Sequence, residues 1–363
     1  MKVAVFFGGR SVEHEVSVIS GIQVCKTLGL EHEVIPVYLT KENQMYVDNE
    51  LLNSNHYIDL ELNKRNYVDL QNSNGAFLRY KTFPHKKIYF DIALLCVHGK
   101  GVEDGSLSSL FELLNIPYVG PSILSGAVSQ NKAICKKTLK YHKVNMIDFE
   151  LINEVNKNKI IDKLTFPSIV KANNLGSSIG ISVVNDKDEL LSSLDAIFRY
   201  DQEVIVEKYI KNKKEYNIAL YKNKNSINLS LIEEVSGGNI LSYNDKYLDN
   251  SSKSQRIIPA NISNSLKREI EYNAKKIYYA LGCNNLVRLD FIYDEDSKKL
   301  YFNEINSIPG SYAFYLFKDK KTFIELLNEL INNSLNEYDY KNSLISTIDN
   351  NKIFERKTSL KFK

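Results

Sequence analysis

None of the apolar runs in this 363-residue chain approaches the ~20 residues needed to cross a bilayer, which excludes a helical membrane protein. The opening MKVAVFFGG is apolar but shorter than a secretory leader, and charged sequence follows it directly, so a cytoplasmic protein is expected. Cysteine is scarce. Cys25, Cys96, Cys135 and Cys283 are scattered, with no CxxC and no Cys/His spacing that suits zinc, so free thiols in a reducing compartment are expected. Charge of one sign is also missing. The chain has 47 Lys+Arg and 44 Asp+Glu, interleaved, with a net charge of +3, which gives no footprint for nucleic acid. Internal repeats are absent, and the glycine-rich stretches match neither GxGxxG nor GxxxxGK[ST].

What is present is ordinary for a globular protein: 43% apolar and 25% charged residues, in a chain long enough for two or three domains. KVAVFFGG, EVIPVYL and YFDIALLCV read as buried strands separated by helical spacing, which predicts an N-terminal Rossmann-like parallel α/β domain over 1–120. A polar, less regular stretch lies between the last two. From Pro121 a helical segment runs to about Lys143. PSIVKANNLGSSIGISVV then reads as two strands around a Gly/Ser loop, and EVIVEKYI as a strand leading out of a second unit, 121–206. EYNIALYKN, SINLSLIEEV, LVRLDFIYDED and KKLYFNEIN form a third, strand-rich unit, 207–336. Its long polar loop, 241–260, is of a length that is usually functional or disordered. A polar, basic tail, 337–363, is expected on the surface.

Four groups of residues could carry chemistry. Alternation puts Arg288 and Asp290 on one face of VRLDF, and Glu304 and Asn306 on one face of NEIN. A hairpin of the two strands collects oxygen ligands that suit Mg²⁺ with substrate phosphates; a cross-strand salt-bridge ladder is the plainer alternative. NNLGSSIG, preceded by Lys171, could turn backbone N–H groups onto a phosphate, or could be a simple hairpin turn. The strand ending in Glu207-Lys208-Tyr209-Ile210 could face an adenine edge with Glu215 near the ribose, or could be a charged edge strand. In GGRSVEHEVS, Ser11 reads as an N-cap that aims a helix terminus at the top of the sheet. Glu13 beside it could pair with a substrate ammonium or simply complement the helix dipole.

In chain order, GGRSVEHEVSVISG, HGKGVEDGSL, GSSIGIS, VEKYI, NDKY, RLDF and NEINSIPG resemble the D-alanine–D-alanine ligases of the ATP-grasp superfamily, from Lys2 to about Tyr315. The resemblance implies an α/β (α+β) ATP-grasp fold and ATP held between the second and third units. It further implies an ADP-forming synthesis of a D-alanyl-D-alanine-type dipeptide for peptidoglycan, through an acyl phosphate. It assigns Lys132 and Lys171 to the phosphates, Glu207, Lys208, Tyr209 and Ile210 to adenine, Glu215 to the ribose, and places Ser178 in the phosphate loop. Asp290, Glu304 and Asn306 correspond to ligands of Mg²⁺ (or Mn²⁺). Glu13 holds the first ammonium, Ser177 and Tyr247 link to it, and Lys246 reaches the γ-phosphate. Arg288 and the Gly310 amide face the oxyanion, with His98 and Glu103 in a supporting loop.

The family pattern is broken chiefly at one place, with smaller departures at Ala172, where a proline is usual, and Asn131, where an acid is common. Where relatives carry a serine that binds the second amino acid's carboxylate, this chain has Tyr315, with Ser311 and Leu316 beside it in the acceptor pocket. Three expectations follow. One is a D-alanine–D-alanine ligase; another is a ligase of the same chemistry with a different acceptor, such as D-serine. The third is an ATP-binding protein without turnover, which the retained Asp290, Glu304, Asn306 and Arg288 argue against. By analogy with the family, a homodimer acting on small amino acids is expected.

Overall fold

The computed structural model describes residues 1–176, 180–224, 226–236 and 255–348. Lys2–Gly8 (β1) is apolar from Val3 to Phe7 and buried from Val3 onward, as a parallel strand covered on both faces requires. It pairs in parallel with Glu33–Leu39 (β2) and Ile92–Leu95 (β7), and β7 with Tyr118–Val119 (β8). Beyond β2 the sheet continues through Met45–Val47 (β3), Tyr67–Asn72 (β4), Ala76–Tyr80 (β5) and Lys87–Tyr89 (β6), each pairing antiparallel to the one before. The stretch that reads as irregular is therefore half of an eight-stranded mixed sheet, ordered β6-β5-β4-β3-β2-β1-β7-β8. These four strands, three to six residues long, are too short to show a period against polar flanks. Helices His14–Leu28 (α1) and Ser106–Leu113 (α2) belong to this unit.

The segment after Pro121 is two helices, Ile123–Gln130 (α3) and Lys132–Tyr141 (α4). Asn131 separates them: its backbone is extended and its side chain accepts from the Ile134 amide, which starts α4 anew. Phe149–Ile152 (β9), Ser168–Ala172 (β10), Ile181–Val184 (β11) and Val204–Lys208 (β12) form an antiparallel sheet ordered β11-β10-β12-β9. Since β12 pairs on both sides, EVIVEKYI is an interior strand and not an edge.

The third sheet is antiparallel, ordered β15-β14-β13-β16-β17. Its strands are Lys213–Asn223 (β13), Ser226–Ser236 (β14), Gln255–Ile257 (β15), Val287–Asp294 (β16) and Lys299–Asn306 (β17). The end of the long polar loop thus joins the sheet as β15. The boundary read at 336/337 falls inside a helix, Phe323–Asn342, whose N-terminus carries a capping box between Thr322 and Glu325. This helix and the residues before it do not pack on their own sheet alone. Tyr312, Leu316, Phe317, Leu326 and Leu330 share one core with Val3, Val5 and Leu94 of the first sheet. The polypeptide leaving β17 is thereby tied back to the N-terminal unit.

Candidate active site

Strands β16 and β17 form the hairpin that alternation predicts, with Arg288 opposite Asn306 and Asp290 opposite Glu304. Val287, Leu289 and Phe291 point into the core while Arg288 and Asp290 take the other face. Arg288 grips Asp290 with two hydrogen bonds, Nε to Oδ1 and Nη2 to Oδ2, both 2.8 Å. Asn306 donates to the same carboxylate at 3.3 Å. Burial opposes the charge on Arg288, but Asp290 outweighs it and holds the guanidinium well above its ordinary pKa. The ion pair thus runs along one strand, not across the ladder. Arg288, Glu304 and Asn306 line a cleft of about 250 Å³, together with Glu13 and Lys132.

A second cluster lies deeper. Glu207 on β12 is completely buried, and its carboxylate lies between two ammonium groups: Lys136 on one oxygen and Lys171 on the other, the latter at 2.7 Å. Burial works against the charge, but Lys171 and Lys136 outweigh it and bring Glu207 down to about 2. Burial also pulls the Lys136 ammonium below its ordinary value, against the attraction of Glu207. Lys171 reaches across to the third sheet and donates to Asn303 at 2.9 Å. Lys132 donates to the Leu175 carbonyl, at the threshold of the Gly/Ser loop. The loop's start is further fixed by Asp201, which accepts from the Asn174 amide at 2.6 Å.

The N-terminal unit contributes the third wall. Helix α1 starts at His14, later than Ser11 as N-cap implies; Ser11 Oγ accepts instead from the Glu13 amide, 3.1 Å away. Glu13 is buried between two glycines. A Cβ added at Gly99 or Gly176 would meet its Oε2 at 2.7 or 2.8 Å, so neither position admits a side chain without moving the carboxylate. His98 contacts Ser20 Oγ at 3.2 Å, and burial pulls its imidazole below the ordinary value, against the pull of Glu13. Ser20 Oγ also accepts from the Ser311 amide at 3.2 Å.

Past Pro309-Gly310 the chain makes a left-handed turn without glycine: Ser311, Tyr312 and Ala313 have φ of 46°, 53° and 46°. Such residues cost about 1–2 kcal/mol each, so the turn needs tertiary support. The first unit supplies it through the Ser311 amide on Ser20, the Ser311 hydroxyl on Gln23, and the buried Tyr312 hydroxyl, which donates to the Leu95 carbonyl at 2.7 Å. After the turn, Tyr315 donates its hydroxyl to Glu233 Oε2 at 2.8 Å, while the Leu316 side chain is buried in the shared core.

Two family models match the chain: the D-ala D-ala ligase N-terminus over residues 2–121 and the D-ala D-ala ligase C-terminus over 132–331. A D-alanine–D-alanine ligase of Helicobacter pylori (strain P12) is 35% identical over 354 residues, covering 97% of this chain and 100% of the relative. The chain belongs to the D-alanine–D-alanine ligase family. The family's solved structures share its fold. A D-alanine–D-alanine ligase from Helicobacter pylori superposes with a TM-score of 0.76 at 32% identity, covering 92% of this chain and 98% of that one. VanG D-Ala:D-Ser ligase from Enterococcus faecalis gives 0.76 at 28% identity, covering 92% and 99%.

Among the residues the family pattern marks, the fold brings Glu13, Lys132, Arg288, Glu304, Asn306, Gly310 and Ser311 to one cleft. Lys171, Glu207 and Asp290 contact its wall residues or one another. Lys208 is exposed at the end of β12, with Tyr209 and Ile210 half-buried beyond it. Glu215 lies on β13, 2.6 Å from Lys213, outside the residues that line the cleft. Ser177, Ser178, Lys246 and Tyr247 lie outside the described residues. Among the described residues, no three His, Cys, Asp or Glu side chains cluster as metal ligands. The all-oxygen set of Asp290, Glu304 and the Asn306 amide is the one that fits a hard cation. Lys136 escaped the sequence reading, although its signal was there: it is four residues after Lys132 and shares its helix face. Glu233 and Arg256 gave no such signal.

Proposed function

We propose that the protein is an ATP-dependent, ADP-forming ligase that joins D-alanine to a second amino acid, with D-alanine as the first acceptor to consider. The observation that carries this is the convergence of Glu13, Lys132, Arg288, Glu304 and Gly310 on one cleft, in a chain that the two family models match over residues 2–121 and 132–331.

A carboxylate is a poor acyl donor because its leaving group is oxide. In the proposed reaction a donor carboxylate oxygen attacks the γ-phosphorus, the bond to ADP breaks, and an acyl phosphate forms. The acceptor amine, having lost a proton, attacks the acyl carbon. The C–O bond to phosphate then breaks, leaving dipeptide, ADP and phosphate. Lys132 and Lys171 neutralise phosphate charge, and Glu13, held by the two glycine gaps, receives the donor ammonium. Arg288 and the Gly310 amide face the oxyanion, and the left-handed turn fixes that amide's place. Asp290, Glu304 and Asn306 would hold Mg²⁺, which supplies charge neutralisation to the phosphates when bound. Glu207, Lys208, Tyr209 and Ile210 frame the adenine, with Glu215 toward the ribose. The family resemblance assigns Lys246 to the γ-phosphate, Ser177 and Tyr247 to the link with Glu13 and Ser178 to the phosphate loop, all outside the described residues. The enzyme acts in the cytoplasm as a homodimer on free amino acids.

A second reading keeps this chemistry and changes the acceptor. It is favoured by Tyr315, whose hydroxyl is directed to Glu233. Both are tested by phosphate release from ATP and Mg²⁺ with single and paired D- and L-amino acids, with products identified by mass. D-alanyl-D-alanine from D-alanine alone supports the first; release that needs a second, different amino acid supports the other. No release with any pair sinks both.

A further inference from the structure

Two arginines act on the Tyr315 phenol from different elements: Arg288 on β16 and Arg256 on β15. They differ in what they have left to give. Arg288 has committed its fork to Asp290 through two bonds of 2.8 Å. Arg256 makes one long contact, Nη1 to Glu233 Oε1 at 3.5 Å, lies over the Tyr315 ring at 5.7 Å, and its side chain is 55% exposed. A guanidinium has five N–H donors in a planar fork that matches a carboxylate. Most of that fork is not engaged among the described residues.

Arg256 is the contact on Glu233 Oε1, and the other oxygen is held independently of it. The carboxylate is fully buried, and its Oε2 already accepts from Tyr315 at 2.8 Å and from Asn217 at 2.9 Å. Nor does Tyr315 offer an alternative donor for a substrate. Its single O–H is given to Glu233, and burial, with Glu233 adding and the two arginines opposing, pushes the phenol up to about 12, so it stays protonated in that bond. The ring is therefore a platform for Arg256 and not a free hydrogen-bond donor, and it lies within the field of Arg288, which lines the cleft.

We propose that Arg256 is a specificity-determining residue that receives the α-carboxylate of the acceptor amino acid, with Tyr315 and Glu233 as the positioning residues that hold its guanidinium over the ring. The proposal rests on the ligase reading above and deepens it: the acceptor is an α-amino acid with a free carboxylate, and not a simple amine or an amino-acid amide. The donor half of the reaction does not involve Arg256.

The test separates the two halves. Hydroxylamine, which has no carboxylate, traps the acyl phosphate as a hydroxamate and reports donor activation alone; D-alanine and D-alaninamide report the acceptor site with and without the anion. In the unsubstituted protein the acid is preferred over the amide. Arg256→Ala raises the acceptor KM about tenfold or more, as expected for loss of a charge-assisted contact, and the preference for the acid collapses. Hydroxamate formation and the donor KM stay as they were, which also reports an intact fold. Arg256→Lys, with the charge but without the fork, recovers part of the preference. Tyr315→Phe keeps the ring, loses the bond to Glu233, and raises the acceptor KM by a smaller factor. An acid preference and acceptor KM unchanged in Arg256→Ala, with normal hydroxamate formation, overturn this inference alone. No hydroxamate from the unsubstituted protein overturns the ligase reading and this inference with it.

Discussion

The carboxylate of Glu103 accepts two hydrogen bonds from the residues just past β17, the Ile308 amide at 2.8 Å and the Ser307 hydroxyl at 2.9 Å, while its other oxygen accepts from the Gly99 amide at 2.9 Å. One buried side chain therefore fastens the loop of the first unit to the strand that runs into Pro309-Gly310. Burial pushes the Glu103 carboxyl up, against the donors from Gly99, Ile308 and Ser307.

Removing that fastener leaves two backbone amides buried without acceptors. Glu103→Ala is expected to cost about 3 kcal/mol in urea unfolding, and to lower ADP release at least tenfold because Gly310 loses its reference to the first unit. Glu103→Gln retains one acceptor oxygen and falls between the two. An alanine variant with native stability and rate would show that the contact positions nothing.

The buried Lys136–Glu207–Lys171 cluster makes a prediction about pH. Glu207 is at about 2 in the folded protein against an ordinary 4.5. Because the folded value is the lower one, the stabilisation is fully present above about 4.5 and is lost as pH falls toward 2. Its size is on the order of 3 kcal/mol. Unfolding free energies measured across that window should decline accordingly. Glu207→Gln should be less stable at neutral pH, and its curve should lack this part of the acid slope. Lys136→Met, which leaves Glu207 with one cation, should cost about 3–5 kcal/mol. A curve for Glu207→Gln parallel to the unsubstituted one would rule the cluster out as the source.

Glu304 faces the cleft from β17, with its neighbours Phe302 and Ile305 in the core. Glu304→Ala is expected to lower ADP formation by about 10³-fold or more with every amino acid, and to change stability by no more than about 1 kcal/mol. Calorimetry and a coupled ADP assay on the same preparation check both halves. Normal turnover would remove Glu304 from the proposed cation site.

The glycine gaps around Glu13 predict a split between substrates. A methyl group at Gly176 would lie 2.8 Å from Glu13 Oε2, so Gly176→Ala should displace the carboxylate and raise the KM of the donor amino acid roughly tenfold. The KM for ATP should change far less. Gly99→Ala should be harsher, since φ at Gly99 is +85° and strains any side chain there. Equal effects on donor and ATP would point to general misfolding of the cleft.

The face that carries Arg288, Asp290, Glu304 and Asn306 was legible in the sequence, because a strand alternates with period two and its turn sets the register of the partner. The buried β1 and the helical spacing around it were legible for the same local reason, and the order of the motifs was enough to reveal the family. The strands β3 to β6 were not, being too short for a period to rise above their polar flanks. What only the tertiary structure decided are pairings between residues far apart in the chain: Glu103 with Ile308, Lys136 and Lys171 on one carboxylate, the left-handed turn supported by Ser20 and Leu95, and Tyr315 directed to Glu233. The physical reason is that a charged or polar residue has the same local pattern whether it faces water or a partner. Burial alone distinguishes the two, and burial is a property of the packed chain.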